Sequence, residues 1–288
     1  MPTVYQYTTE NLAIGDVYGG HDPNRYYLHE YFEKVPALNA DIESITGVDN
    51  PASAAVITFT NGYNKANKSF EIIITNASVC TFNTTSGISL TTDGALNDSV
   101  IVLPHLDAGQ TAWTGINWKT SSQVHWSCAI SINNNSNVIF WAGLKLTNVP
   151  AYATDADQAY FLYASDDDQG ALETNANLHF VYSVGGTDYI TDSGIAVAAA
   201  ATNGNGGIYK LRIVIDNNRQ VAVYVNGVQY GLVTTSTAGG ATQSTSTTLS
   251  SALTNDIDLI PYVGVEALTA AAKQITLCYE KISRVLFE

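Results

Sequence analysis

The chain has 288 residues, with 12 Lys and Arg against 26 Asp and Glu, for a formal net charge of -14. That length can bury a substantial core in one main domain. The negative charge, uninterrupted by any Lys/Arg cluster, repels phosphate backbones and argues against a nucleic-acid partner.

The N-terminus, from Met1 to Tyr5, carries no cationic segment followed by an apolar stretch, and no run approaches membrane-spanning length. Neither a secretory leader nor a membrane partner is expected. Residues 1–50 are rich in Tyr and Gly without sustained alternation and read as an N-terminal arm, leaving 51–288 as the main domain. Within the arm, residues 24–34 form the one candidate helix, because Tyr27, Tyr31 and Lys34, or Leu28 and Phe32, would share faces and Pro36 would end it. Tyr5, Tyr7, Tyr18, Tyr26, Tyr27, Tyr31 and Phe32 crowd this segment. Such a set suits the core of an interface and is foreign to a disordered tail, so these are the candidate partner-binding residues. The arm is expected to order against its own domain, a sister subunit or a shell protein.

Strands are expected next at residues 55–60, 69–75, 99–103, 124–132, 138–146, 159–164 and 177–184, most of them bounded by Gly, Asn, Asp or Pro. The strongest local signal follows. Tyr209, Leu211, Ile213 and Ile215 alternate with Lys210, Arg212 and Val214, and Val221, Val223 and Val225 continue with the same period of two. The turn residues of 216–219 join these strands, and Asn226-Gly227 favours a type I′ turn into a third strand at 228–230. Residues 234–251, mostly Ser and Thr with Gly239-Gly240, read as a flexible solvated loop. Strands at 259–265 and 275–287 complete an all-β pattern of sandwich or barrel type. Cys80, Cys128 and Cys278 are widely spaced and odd in number, which suits buried free thiols made in a cytoplasm better than disulfides.

The segment from Tyr209 to Val228 resembles the strand pair of concanavalin-like and laminin-G-like domains, in which a polar turn leads into a "vyvNG" strand. The resemblance implies a jelly-roll β-sandwich with the arm as an extension. A longer resemblance, carried by residues 102–115, 141–147, 154–161 and 259–266, is to structural proteins of tailed phages of aquatic bacteria. It implies a virion protein made in the host cytoplasm, most simply a decoration or cement protein on the capsid surface, with tail or fibre placement as the alternative. The partners it implies are the major capsid protein or other virion proteins. A homo-oligomer, with a trimer at a local threefold axis as its expected form, would add many modest contacts into a large total.

Jelly rolls of this type include glycan-cleaving enzymes, which place two carboxylates on one strand face in a Glu-x-Asp-x-x-Glu pattern. That pattern is missing here: Asp256 and Asp258 precede apolar Leu259 and Ile260. In the stretch from His29 to Glu33, Glu33 stands where a zinc-protease helix needs its second His. No nucleophile elbow or phosphate-binding glycine loop occurs, so a non-enzymatic protein is expected. The alternative function is a lectin-like module that binds a glycan for host adhesion. Trp113 and Trp118, in loop-like sequence, are then the stacking residues, while most of Trp126, Trp141, Tyr152, Tyr160 and Tyr163 fill the core. Asp155, Asp157, Asp166, Asp167 and Asp168 are the candidate oxygen ligands for Ca²⁺, the alternative being solvated turn aspartates.

Overall fold

The computed structural model describes residues 24–30, 45–46, 57–59, 71–74, 76–82, 87–103, 117–146, 155–165, 175–199, 207–236, 241–242 and 247–286. These residues form the expected all-β jelly-roll sandwich. Numbered along the chain, one sheet runs in space β15 (Val228–Tyr230), β14 (Val221–Val225), β13 (Ile208–Ile215), β8 (His125–Ile132), β18 (Gln274–Val285), β6 (Ile88–Thr91), β5 (Val79–Phe82), β3 (Ile57–Phe59) and β2 (Ile45–Thr46). A tenth strand, β1 (Arg25–Glu30), also pairs with β18. The facing sheet has eight strands in the order β16 (Ala241–Thr242), β12 (Thr187–Ala196), β11 (Asn177–Val184), β10 (Gln158–Ala164), β9 (Val138–Lys145), β17 (Ile260–Ala267), β7 (Ser99–Leu103) and β4 (Glu71–Ile74). The chain crosses between sheets from β3 to β4, β4 to β5, β6 to β7, β7 to β8, β8 to β9, β12 to β13, β15 to β16 and β17 to β18. Among the described residues the one helical element is a 3₁₀ turn at Thr120–Ser122, and no helix is long and apolar enough to cross a membrane.

The core lies between the sheets, where Trp126, Cys128 and Ile130 of β8 and Leu211, Ile213 and Ile215 of β13 meet Phe140, Phe161 and Phe180 of the other sheet. The meander forms as its alternation predicts. Asp216 Oδ1 accepts the N–H groups of Asn218 and Gln220, each at 2.8 Å, and so holds the β13–β14 turn. Asn226 and Gly227 both take positive φ, 52° and 84°, the signature of the type I′ turn into β15.

Two expectations need correction. Residues 24–34 do not begin a helix: Arg25–Glu30 is a strand whose register on β18 runs from Arg25↔Val285 to Glu30↔Glu280. Its Tyr26 and Leu28 pack on the core, and the Tyr26 ring lies 5.8 Å from that of Trp118. The i, i+4 pattern of Tyr and Leu is overruled by a partner strand at the far end of the chain. Arg25 is buried and donates to Gln123 O (2.6 Å), Ser283 O (3.3 Å) and Ser283 Oγ. Arg25→Ala is therefore expected to destabilise the fold by about 2 kcal/mol, read as a lower denaturant midpoint with unchanged slope.

The Ser/Thr-rich stretch is also not solvated throughout. Ser250 is buried, and its hydroxyl accepts the Val221 N–H at 2.7 Å and donates to the Ser251 carbonyl. The Leu232 N–H donates to Thr248 O at 2.8 Å, so both ends of the stretch are tied to the sandwich beside β14. Burial of Leu232 and Leu253 provides the driving force. The cysteines are free as expected; Cys80 and Cys128 are buried and Cys278 half-buried.

Candidate functional site

The strands β9, β10 and β17 have no solvent-exposed face. On β9, Val138, Phe140, Ala142 and Leu144 point into the sandwich core. Ile139 and Trp141 instead join Ile101, Tyr160, Leu162, Val181, Ile260 and Tyr262 in a second apolar cluster on the opposite side of the eight-stranded sheet. Each member is essentially inaccessible to solvent in the single chain. The outer face of this sheet is thus a closed internal layer over β9, β10, β11 and β17, while β12 keeps partly exposed residues.

Three cross-strand rows build that layer. The first is polar: Asp188, Ser183, Gln158 and Lys145 follow one another across β12, β11, β10 and β9. Gln158 Nε2 donates to Ser183 Oγ at 2.8 Å, and that hydroxyl donates to Asp188 Oδ1. The second row runs Ile190, Val181, Tyr160, Gly143 and Tyr262. The third runs Asp192, His179, Leu162, Trp141 and Gly264. A bulge in β12 sets Asp192 opposite His179, with the Asp192 carboxylate accepting the Gly194 N–H at 2.7 Å.

Two glycines make the layer possible. A Cβ on Gly264 would lie 2.5 Å from the Trp141 indole, which stacks on Tyr262 with ring centroids 5.8 Å apart. A Cβ on Gly143 would lie 2.5 Å from Tyr160 Cα. Glycine at these positions lets large rings lie across the sheet.

The polar groups caught in this layer have shifted protonation equilibria. Lys145 is fully buried; loss of hydration pushes its pKa down to about 8, against the opposing pull of the Asp155 carboxylate. Its Nζ stands 3.9 Å from Asp155 Oδ2 and sits over the rings of Tyr160 and Tyr262, 5.4 and 5.3 Å from their centroids. Burial raises the Tyr262 hydroxyl and pushes Glu266 up to about 7. His179 is lowered by burial; its Nδ1–H donates to Asn177 O at 2.9 Å, and its Nε2 is buried without a hydrogen-bond partner, as is Gln158 Oε1. For Asp192, burial is outweighed by hydrogen bonds from Asn175, Gly194 and Asn177 and by the nearby His179, so its pKa falls.

The residues singled out in the sequence scatter. Trp118 is 2% exposed and belongs to the core, its backbone N–H donating to Asp258 Oδ1 at 2.8 Å. Its loop-like sequence surroundings misled, because the ring turns inward beneath Tyr26, and it offers no sugar-stacking surface. Asp155 and Asp157 are buried rather than solvated: Asp155 accepts the Leu146 N–H at 2.9 Å beside Lys145, and Asp157 accepts from Gly185 N–H at 3.4 Å. Among the described residues, no group of three or more His, Cys, Asp or Glu side chains is placed to hold a metal ion. Tyr26 and Tyr27 are half-buried on β1, Tyr27 meeting His29 edge-on at 5.4 Å. Trp126, Trp141 and Tyr160 are buried as expected. Tyr5, Tyr7, Tyr18, Tyr31, Phe32, Trp113, Asp166, Asp167 and Asp168 lie outside the described residues.

The closed layer itself was not expected, although a signal for it exists. Residues 138–144 run Val, Ile, Phe, Trp, Ala, Gly and Leu without a polar residue, as a strand buried on both faces does, whereas β13 alternates.

No family model matches the chain, and no curated protein matches it. Among solved structures it is similar to a protein of unknown function from Shewanella oneidensis MR-1, with TM-score 0.42, 11% identity, and coverage of 91% of this chain and 87% of that one. It is also similar to peanut lectin bound to a 9mer peptide, with TM-score 0.45, 12% identity and 82% and 100% of the two chains covered. A third is the Bacillus licheniformis beta-glucanase, with TM-score 0.43, 8% identity and 78% and 97% covered.

Proposed function

We propose that the chain is a non-enzymatic structural protein of a phage particle, a decoration or cement protein that stabilises the capsid through contacts repeated over many copies. The sequence resemblance to phage structural proteins suggests the location. The observation in the fold that supports the reading is the closed outer face of the central strands of the eight-stranded sheet. A jelly roll that acts on or holds a glycan along a sheet needs that sheet open; here Trp141, Tyr160 and Tyr262 are sealed within the chain. Such a layer adds rigidity and leaves loops and edges to make contacts. Multivalency then turns modest contacts into a large total, because each engaged copy raises the effective concentration of the next. The lectin-like alternative has lost Trp118 as a stacking residue and would require a sugar platform elsewhere on the molecule.

Mass spectrometry of heads and tails separated from purified particles tests the proposal. The expected result is the chain in the head fraction, at a copy number comparable with that of the capsid subunits. Its absence from purified virions overturns the reading, and recovery with tails overturns the capsid placement.

A further inference from the structure

We propose that Lys145 and Asp155 are the two halves of an intramolecular isopeptide bond, a covalent amide between Lys145 Nζ and Asp155 Cγ that ties the base of the β9–β10 hairpin. This goes beyond the structural role proposed above and does not depend on it. The two side chains are 0% and 3% exposed, and Nζ stands 3.9 Å from Oδ2. The carbon to be attacked, Cγ, is the atom bonded to that oxygen, and rotamer adjustment of the two side chains has to bring Nζ to the ~3–3.5 Å from it of a reacting pair. Tyr160 and Tyr262 wall the amine, their ring centroids 5.4 and 5.3 Å from Nζ.

In water an ammonium and a carboxylate do not condense, because hydration stabilises both ions. Burial removes that hydration, and an ion pair in an apolar site is costly relative to a neutral group of the same shape. Proton transfer from the ammonium to the carboxylate yields a neutral amine and a neutral acid, and the depressed basicity of Lys145 lies in that direction. The amine lone pair then attacks Cγ. The oxygen that accepts the Leu146 N–H at 2.9 Å, Oδ2, stays as the amide carbonyl, with that N–H steadying the negative charge that develops on it. The C–Oδ1 bond breaks, and Oδ1 leaves as water with the proton it received and a second proton from nitrogen. Two hydrogens and one oxygen are lost, nothing is oxidised or reduced, and no co-reactant is needed. The product replaces a buried ion pair with one amide.

The test is intact mass spectrometry of the full-length chain under denaturing conditions, followed by tryptic mapping. The expected mass is one water below that of the sequence, with cleavage after Lys145 blocked and a branched peptide joining Lys145 to Asp155. Lys145→Arg and Asp155→Ala are expected at their full sequence masses, and Asp155→Asn should lose ammonia instead of water. If these variants fail to fold, the wild-type mass and its peptide map still decide. A wild-type chain at full sequence mass overturns the proposal, as does a water loss that maps to a succinimide or to any other residue pair.

Discussion

Gly143→Ala is expected to destabilise the protein by at least ~4 kcal/mol and to reduce soluble expression sharply. The added methyl would lie 2.5 Å from Tyr160 Cα, 2.6 Å from Ala159 O and 2.6 Å from Tyr160 Cβ. Two of these atoms are backbone of the neighbouring strand, so no rotamer change relieves the overlap, and β9 or β10 must move. Either shift breaks a ladder held on both sides, by β17 beyond β9 and by β11 beyond β10. Overpacking that forces backbone displacement lies at the upper end of single-residue effects. Gly264→Ala provides the internal comparison. The three atoms nearest its methyl all belong to the indole of Trp141, at 2.5 to 2.6 Å, and a side chain can yield where a backbone cannot. That variant is expected to fold with a loss of about 1–3 kcal/mol. Denaturant unfolding measures both, and equal midpoints for the two variants would contradict the distinction between backbone and side-chain clash.

The same contrast marks what the sequence reveals and what it hides. The Tyr209–Tyr230 meander was legible because alternation, Asn226-Gly227 and the turn aspartate Asp216 all act within a few residues of one another. Strand β1 was not, because its partner β18 is some 250 residues away and its local pattern also satisfies a helix. Trp118 and Trp141 illustrate the limit for sites. Burial of each depends on a neighbour from a distant segment, Tyr26 for one and the bare Gly264 for the other, and neither neighbour carries a motif. Asp155 reads as a turn aspartate until Lys145, ten positions earlier, is seen to be inside the layer with it.

A rise in pH from about 5 to 8 is expected to weaken the fold chiefly through Glu280, and Glu280→Gln should remove that share of the dependence. Glu280 lies on the inward face of β18, opposite Cys128 in register, and is 1% exposed. Its Oε1 accepts the Trp126 Nε1–H at 2.8 Å, while Oε2 is buried without a partner. One hydrogen bond does not compensate for placing a full charge in an apolar core, and burial pushes the pKa from 4.5 up to about 8. Between those values the folded chain keeps a proton that the unfolded chain has released, so stability falls as pH rises and levels off once the folded state also ionises. A shift of this size corresponds to a loss on the order of 5 kcal/mol across the window.

Other groups also titrate. Glu266 and Asp258, raised to about 7 and about 6, weaken the fold in the same sense over lower windows. His125, lowered to about 3 by burial and by Arg25 and Arg212, works oppositely, with stability gained as pH rises toward 6.5. For Lys145, where it remains an amine, stability is gained as pH rises from about 8 to 10.5. These contributions are common to the wild type and to Glu280→Gln, so the difference between their stability–pH curves isolates Glu280. The glutamine keeps an oxygen for Trp126 and cannot ionise. Its curve should lie at a constant offset from the wild type below pH 4.5 and close on it, or cross it, by pH 8. Parallel curves across that range would mean that Glu280 is charged in the folded protein and that its second oxygen has a donor.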